Sequence, residues 1–221
     1  MELREAINGR RSIRGFTSQP VARETLQEVL TLATRAVSGV NSQPWEFAIA
    51  TGAVLDALKK RNMEMLHNGE PLDHPDPGIP GSPYLDRART IGWALLGAMN
   101  ITIEDKEGRV WWGERGYRFF DAPVVILLLM DESLDETAYR FDMGCVAQNI
   151  CLAALEQGLG TCVEEQAVNY QKGARELLNI PESKRFVIGI AIGYPDKEFA
   201  ANNVVSTRED IDKITSWHGF E

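Results

Sequence analysis

Apolar residues along this chain follow two patterns, a 3.6-residue period and short continuous runs, separated by polar breaks. Leu3, Ala6 and Ile7 share one helical face, and Gly9 suits a left-handed cap, which predicts a short first helix. Leu26, Val29, Leu30 and Ala33 repeat the spacing and predict a second helix to about Arg35. A strand is expected over Trp45-Glu46-Phe47-Ala48-Ile49-Ala50 and a helix from about Val54 to Leu66. Tyr84 to Ile103 reads as one helix, with Ile91, Leu95, Leu96 and Met99 on a common face, and a charged helix follows to about Gly116. The run Val124-Val125-Ile126-Leu127-Leu128-Leu129 predicts a strand buried on both faces. Phe141 to Leu155 is expected to be helical, and it carries no charge from Met143 onward. Such a helix belongs in a large core or a subunit interface, and Gln148 and Asn149 within it need partners. Thr161-Cys162-Val163 reads as a short strand before a turn at Glu164-Glu165-Gln166. A helix is expected over Tyr170 to Leu178, stopped by Pro181, and a central strand over Phe186 to Ile192.

The breaks are as informative as the elements. The uncharged stretch from Ala36 to Trp45 is a loop; it is either an ordinary helix-to-strand connection or a surface of neutral donors and acceptors suited to a heterocycle. Residues 67–83 hold Pro71, Pro75, Pro77, Pro80 and Pro83 and have no hydrophobic period, which predicts a long loop. Residues 199–221 are polar, extended around Val204-Val205, and have little to pack on in their own domain, so they are expected to embrace a second subunit. The expected organisation is a single α+β domain over 1–221, with 67–121 as a helical and loop excursion and 199–221 as an extension.

Charge changes this picture at one place. With Lys and Arg totalling 23 against 32 Asp and Glu, the formal charge is −9, which argues against nucleic acid as a partner. Yet Gly9-Arg10-Arg11-Ser12-Ile13-Arg14 places three guanidinium groups within five residues. Adjacent like charges repel by about 1 kcal/mol each in water. The cluster is therefore a solvated turn or an anion site, and the planar guanidinium fork with the Ser12 hydroxyl suits phosphate. Cys145, Cys151 and Cys162 are an odd set without metal-ligand spacing, so neither a disulfide framework nor zinc is expected and a reducing compartment fits. His67 and His74 have no Cys or carboxylate at ligand spacing, so no metal is expected. The charged start carries no signal peptide, and the longest uncharged run, Thr90 to Ile103, is too short to span a bilayer. A cytoplasmic protein without a membrane partner is the expectation. Trp111, Trp112, Tyr117, Phe119 and Phe120 crowd together, as helix packing or as a wall over a planar ligand.

Several motifs, in order, resemble the FMN-dependent nitroreductase family. They are Arg10-Arg11-Ser12-Ile13-Arg14, Asn41-Ser42-Gln43-Pro44-Trp45-Glu46-Phe47, Gly158-Leu159-Gly160-Thr161-Cys162, Leu177-Leu178-Asn179-Ile180-Pro181 and Ile190-Ala191-Ile192-Gly193-Tyr194-Pro195. The middle segment, from Pro83-Tyr84 through Asp121-Ala122-Pro123, further resembles the nitrobenzoate-reductase branch. The resemblance implies a nitroreductase-like α+β fold, with a central, mostly antiparallel sheet flanked by helices. It also implies an intertwined homodimer with C-terminal strand exchange and two FMN sites at the interface. The phosphate would lie against Arg10, Arg11, Ser12, Arg14 and Arg208. The ring would rest on Val37, Ser38, Gly39 and Asn41 and on Val163, Glu165 and Gln166. Val37 stands where the family commonly has proline, and the turn Val163-Glu164-Glu165-Gln166 lacks the glycine that often presents its N–H to flavin N5, though Gln166 can still donate its own. The implied activity is ping-pong hydride transfer from NAD(P)H to FMN and on to a nitroaromatic or related planar acceptor. The flavin carries that chemistry itself, so no catalytic side chain is named. Reductive dehalogenation, ene reduction and flavin breakdown fit the same fold, and a non-catalytic FMN carrier or sensor would show the same binding residues.

Overall fold

A computed structural model describes residues 1–74, 78–79 and 81–220, so Pro75, Pro77 and Pro80 of the expected long loop lie outside the described residues. In chain order the elements are α1 (Leu3–Gly9), α2 (Arg23–Ala33), β1 (Glu46–Thr51), α3 (Gly52–His67), α4 (Tyr84–Ala98), α5 (Lys106–Tyr117), β2 (Val124–Asp131), α6 (Glu136–Glu156), β3 (Gly160–Glu164), α7 (Gln171–Leu178), β4 (Lys184–Gly193) and α8 (Ile211–Ile214). The four strands form one antiparallel sheet in the order β1-β2-β4-β3.

The continuous apolar run of β2 sits near the centre because both of its faces are covered. Ile126 and Leu128 pack with Val146, Ile150 and Ala154 of α6 and with Val29 of α2. Val125 and Leu127, on the opposite face, pack with Leu55 and Leu58 of α3 and with Phe119 and Phe186. The alternation of side chains along a strand sends neighbours into different layers. Each fully buried Leu or Ile contributes about 1.5–3 kcal/mol.

Several expected boundaries shift for local reasons. Gly9 does not adopt the left-handed conformation; α1 ends because Arg10 turns extended (φ −63°, ψ 127°) and leads straight toward β3. The helix expected to reach Ile103 stops at Ala98, and Asn100 takes a left-handed φ of 58°. α6 begins at Glu136, ahead of the apolar pattern, because the Asp135 carboxylate accepts the Ala138 N–H at 2.8 Å and caps the first turn. β3 continues to Glu164, and β4 runs from Lys184 to Gly193.

Apolar surface is left uncovered at α1, beside β1 and along α6. α1 buries none of its side chains, leaving Leu3 70% and Ile7 54% exposed. Among the described residues β1 pairs on one side only, and a cavity of about 790 Å³ beside it is lined by Leu26, Leu30, Phe47 and Ile49. Along α6, Phe141, Gly144, Cys145 and Gln148 form an uncharged outward face, with Phe141 72% exposed. Asn149 on the same helix finds the partner it needs, donating to the Ala33 carbonyl at 3.3 Å. Among the described residues no helix is long and apolar enough to cross a membrane.

Candidate active site

Beyond α1, residues 10–17 run extended along the end of the sheet. Ser12 bridges Thr161, the Ile13 N–H donates to the Thr161 carbonyl at 2.9 Å, and the Thr17 N–H donates to the Tyr194 carbonyl at 2.9 Å. Asn202, 4% exposed, locks the turn: its Oδ1 accepts from the N–H groups of Arg14 (2.7 Å) and Gly15 (3.1 Å). Its Nδ2 donates to the carbonyls of Gly15 (2.7 Å) and Asp196 (2.8 Å). Gly15 is required there because a Cβ would collide with the Phe199 ring. Held in this way, Arg10, Arg11 and Arg14 enter no ion pair among the described residues. Three guanidiniums without a carboxylate partner, on a rigid backbone in a chain of charge −9, are a donor set of the kind that suits an anion.

β3 runs beside this turn. Its alternation sends Cys162 and Glu164 inward and leaves Val163 and Glu165 exposed. Gln166 begins a 3₁₀ turn and donates from Nε2 to the Gly113 carbonyl of α5 at 3.1 Å. Gly116, one turn on, gives the Gln166 side chain its space, because a Cβ there would overlap it. Burial pushes the Cys162 thiol up to about 12, against the pull of Arg14, so it is no nucleophile.

Glu164 is 8% exposed, and neither carboxylate oxygen has a hydrogen-bond partner among the described residues. Desolvation holds its carboxyl well above the usual range, and Arg14 opposes the shift. The folded apoprotein therefore keeps a proton on Glu164 that the unfolded chain releases above about pH 4.3. Stability falls as pH rises through that window, since the folded state binds more protons there. Glu164→Gln, which mimics the neutral form, should flatten this slope: urea melts at pH 5 and pH 8 should show a variant whose advantage over wild type grows with pH. An advantage that stays constant or shrinks contradicts a neutral Glu164.

The third segment is the loop after α2. Its Gly39 N–H donates to Asp142 Oδ2 at 3.1 Å, and the Gln43 N–H donates to Ser38 Oγ at 3.1 Å. Val40, Asn41 and Gln43 all take left-handed φ values (47°, 58° and 49°), and Val40 is fully exposed. A left-handed L-residue costs about 1–2 kcal/mol, and β-branching makes Val40 an outlier. Strain of this kind is kept where the surroundings over-determine it.

Within one chain the expected site residues fall into two groups. Arg10, Arg11, Ser12 and Arg14 lie beside the strand and turn that carry Val163, Glu165 and Gln166. Val37, Ser38, Gly39 and Asn41 lie apart from them. Asp142 fastens that loop near the start of α6, whereas Leu155, near its other end, lines a cavity of about 420 Å³ with Gly9 and Arg11. At a rise of about 1.5 Å per residue the two positions are about 20 Å apart. Arg208 is not joined to the arginine cluster either; its guanidinium donates to Ser206 Oγ and to the Thr207 carbonyl, each at 2.9 Å. His67 does acquire a carboxylate partner, Glu114 at 2.8 Å, on the surface. Asn202, Asp142 and Arg115 carry no signal in the sequence, whereas Phe120 belongs to the expected aromatic cluster. Arg14 lies over the Phe120 ring at 5.8 Å, and Arg115 donates to the Arg14 carbonyl at 2.8 Å.

The sequence model of the Nitroreductase family matches residues 7–194. A 4-nitrobenzoate reductase of Nocardioides sp. (strain LMS-CY) is 32% identical over 214 residues, covering 94% of this chain and 86% of the relative. Among solved structures, the FMN and NADPH-dependent nitroreductase NfnB from sphigopyxis sp. strain HMH superposes with a TM-score of 0.93 at 31% identity, over 100% of both chains. The FMN-dependent nitroreductase NfnB from Mycobacterium smegmatis, solved in complex with NADPH, gives 0.90 at 27% identity over 97% of each. The antiparallel sheet, its helical layers and the order of the motifs agree with these likenesses, and the chain belongs to the nitroreductase family.

Proposed function

We propose that this protein is an FMN-dependent NAD(P)H oxidoreductase that reduces nitroaromatic or related planar acceptors. The observation that carries this reading is Arg10, Arg11 and Arg14, without carboxylate partners among the described residues, on a turn fixed by Asn202 and bridged directly to β3. That donor set fits the phosphate of FMN, and each charge-assisted bond is worth about 1.5–3 kcal/mol. Ser12 adds a hydroxyl on the phosphate side, and Arg208, which lies apart from the cluster within one chain, would reach it only from the extension of a second copy; Val163, Glu165 and Gln166 support the ring, with the Gln166 N–H available to ring N5. Bound FMN supplies the two-electron chemistry. The chain's own residues bind it, orient it and, through 67–121, shape the space above it for the acceptor.

The same reading makes the site a shared one. The uncharged face of α6 suits a two-fold contact, in which two copies packed antiparallel along it would bring the 37–41 loop of one to the arginine cluster of the other. The open edge of β1, with its apolar groove, offers a seat for the partner's 199–221 extension as an added strand. We therefore read 1–221 as a single domain forming an intertwined homodimer in the cytoplasm.

Anaerobic stopped-flow on FMN-loaded protein tests the activity. NADPH should bleach the visible flavin absorption within seconds, and 4-nitrobenzoate should restore it. A flavin that stays oxidised for minutes contradicts the enzyme and favours a carrier.

A further inference from the structure

Arg115 is the buried cation that the proposed function leaves unused. It lies near the end of α5 and is 6% exposed. Its guanidinium sits 4.7 Å from the Phe199 ring centroid and 5.1 Å from that of Trp111. One arm donates to Asp121 Oδ2 at 2.9 Å; the other donates to the carbonyls of Arg14 (2.8 Å) and Phe120 (3.2 Å). Asp121 and Phe120 belong to a run of three left-handed residues, Phe119 (φ 55°), Phe120 (51°) and Asp121 (59°). Such a run persists only where neighbours impose it. Arg115 and Arg118, which donates to Asp121 Oδ1 at 3.0 Å, supply that constraint.

The same helix receives Gln166 through the Gly113 carbonyl and the space at Gly116. α5 thus grips both the phosphate-side turn, at the Arg14 carbonyl, and the ring-side turn, at Gln166. We propose that Arg115 is a positioning residue for the FMN cradle, fixing the Arg14 backbone from α5 so that α5 and the cofactor site are held as one piece. This rests on the reading of residues 10–14 and 163–166 as that cradle.

The test compares Arg115→Lys with Arg175→Lys. Lysine keeps the charge but loses the planar fork that reaches three acceptors. Arg175 makes a comparable, half-buried clamp, donating to the carbonyls of Pro181 (2.7 Å) and Lys184 (2.9 Å) and stacking on Phe186 at 4.9 Å. It does so at the Lys184 end of β4, about 30 Å along the strand from Gly193. Both variants should lower the apoprotein Tm alike. Arg115→Lys alone should raise the FMN Kd about tenfold or more and shift the bound flavin's visible spectrum toward that of free FMN. A Tm loss equal to that of Arg175→Lys, with FMN affinity and spectrum unchanged, overturns the proposal. If Arg115→Lys does not fold, Asp121→Asn removes one arm and should raise the Kd about threefold; no change in Kd or spectrum overturns the proposal equally. Arg14→Ala separates the two levels. If it too leaves FMN affinity unchanged, the cradle reading itself fails. If it weakens FMN while the variants at 115 or 121 do not, the positioning role alone fails.

Discussion

Arg14→Ala should weaken FMN binding by about 10- to 100-fold, the loss of one charge-assisted contact worth about 1.5–3 kcal/mol. Arg14 is the member of the cluster with the most fixed backbone, tied at its N–H to Asn202 and at its carbonyl to Arg115. Its side chain lies over Phe120, beside β3. Arg4→Ala, on the exposed face of α1, is the matched control and should leave the Kd within about twofold, as an unpaired solvated charge contributes little. Fluorescence titration of FMN into the two apoproteins checks this. Equal affinities would remove phosphate binding from the cluster.

Asn202→Ala should be the most destabilising single change near the site. It leaves the Arg14 and Gly15 N–H groups without partners in a buried turn and takes one of two donors from the Gly15 carbonyl, which keeps the Asp196 N–H. Each stranded group costs about 1–3 kcal/mol, so a total loss of about 3–5 kcal/mol is expected after relaxation. Urea unfolding of the apoprotein measures it, and FMN affinity should fall with it because the cluster's backbone is released. A loss under about 1 kcal/mol would mean that the turn is held by its bridges to Thr161 and Pro195 rather than by Asn202.

How far the sequence could be read follows from the range of the forces involved. The apolar run of β2 and the 3.6-residue spacing in α2 and α6 announce themselves, because burial acts on every second or every third-to-fourth residue. The arginine cluster was legible for a different reason: adjacent like charges in an acidic chain call for an anion. Asn202 and Arg115 were invisible, since their partners lie 188 and 101 residues away and nothing in local pattern encodes such a pairing. Gly9 was misjudged because a glycine permits a left-handed turn without requiring one. The left-handed turn at Phe119–Asp121 runs against the intrinsic preference of its residues and is imposed by Arg115, Arg118 and the packing around Phe119. The 37–41 loop is legible as a loop, but the left-handed conformation of the fully exposed Val40 is not, since β-branching disfavours it.

The central claim is that one FMN site is built from two chains. Co-expressing Arg14→Ala and Asn41→Ala subunits with different tags, and isolating the mixed dimer, tests it directly. In a shared site the mixed dimer carries one intact site and one doubly lesioned site. The account predicts one tightly bound FMN per mixed dimer, where either variant homodimer retains almost none. A mixed dimer as empty of flavin as the two homodimers would place both lesions in sites built from single chains and contradict it.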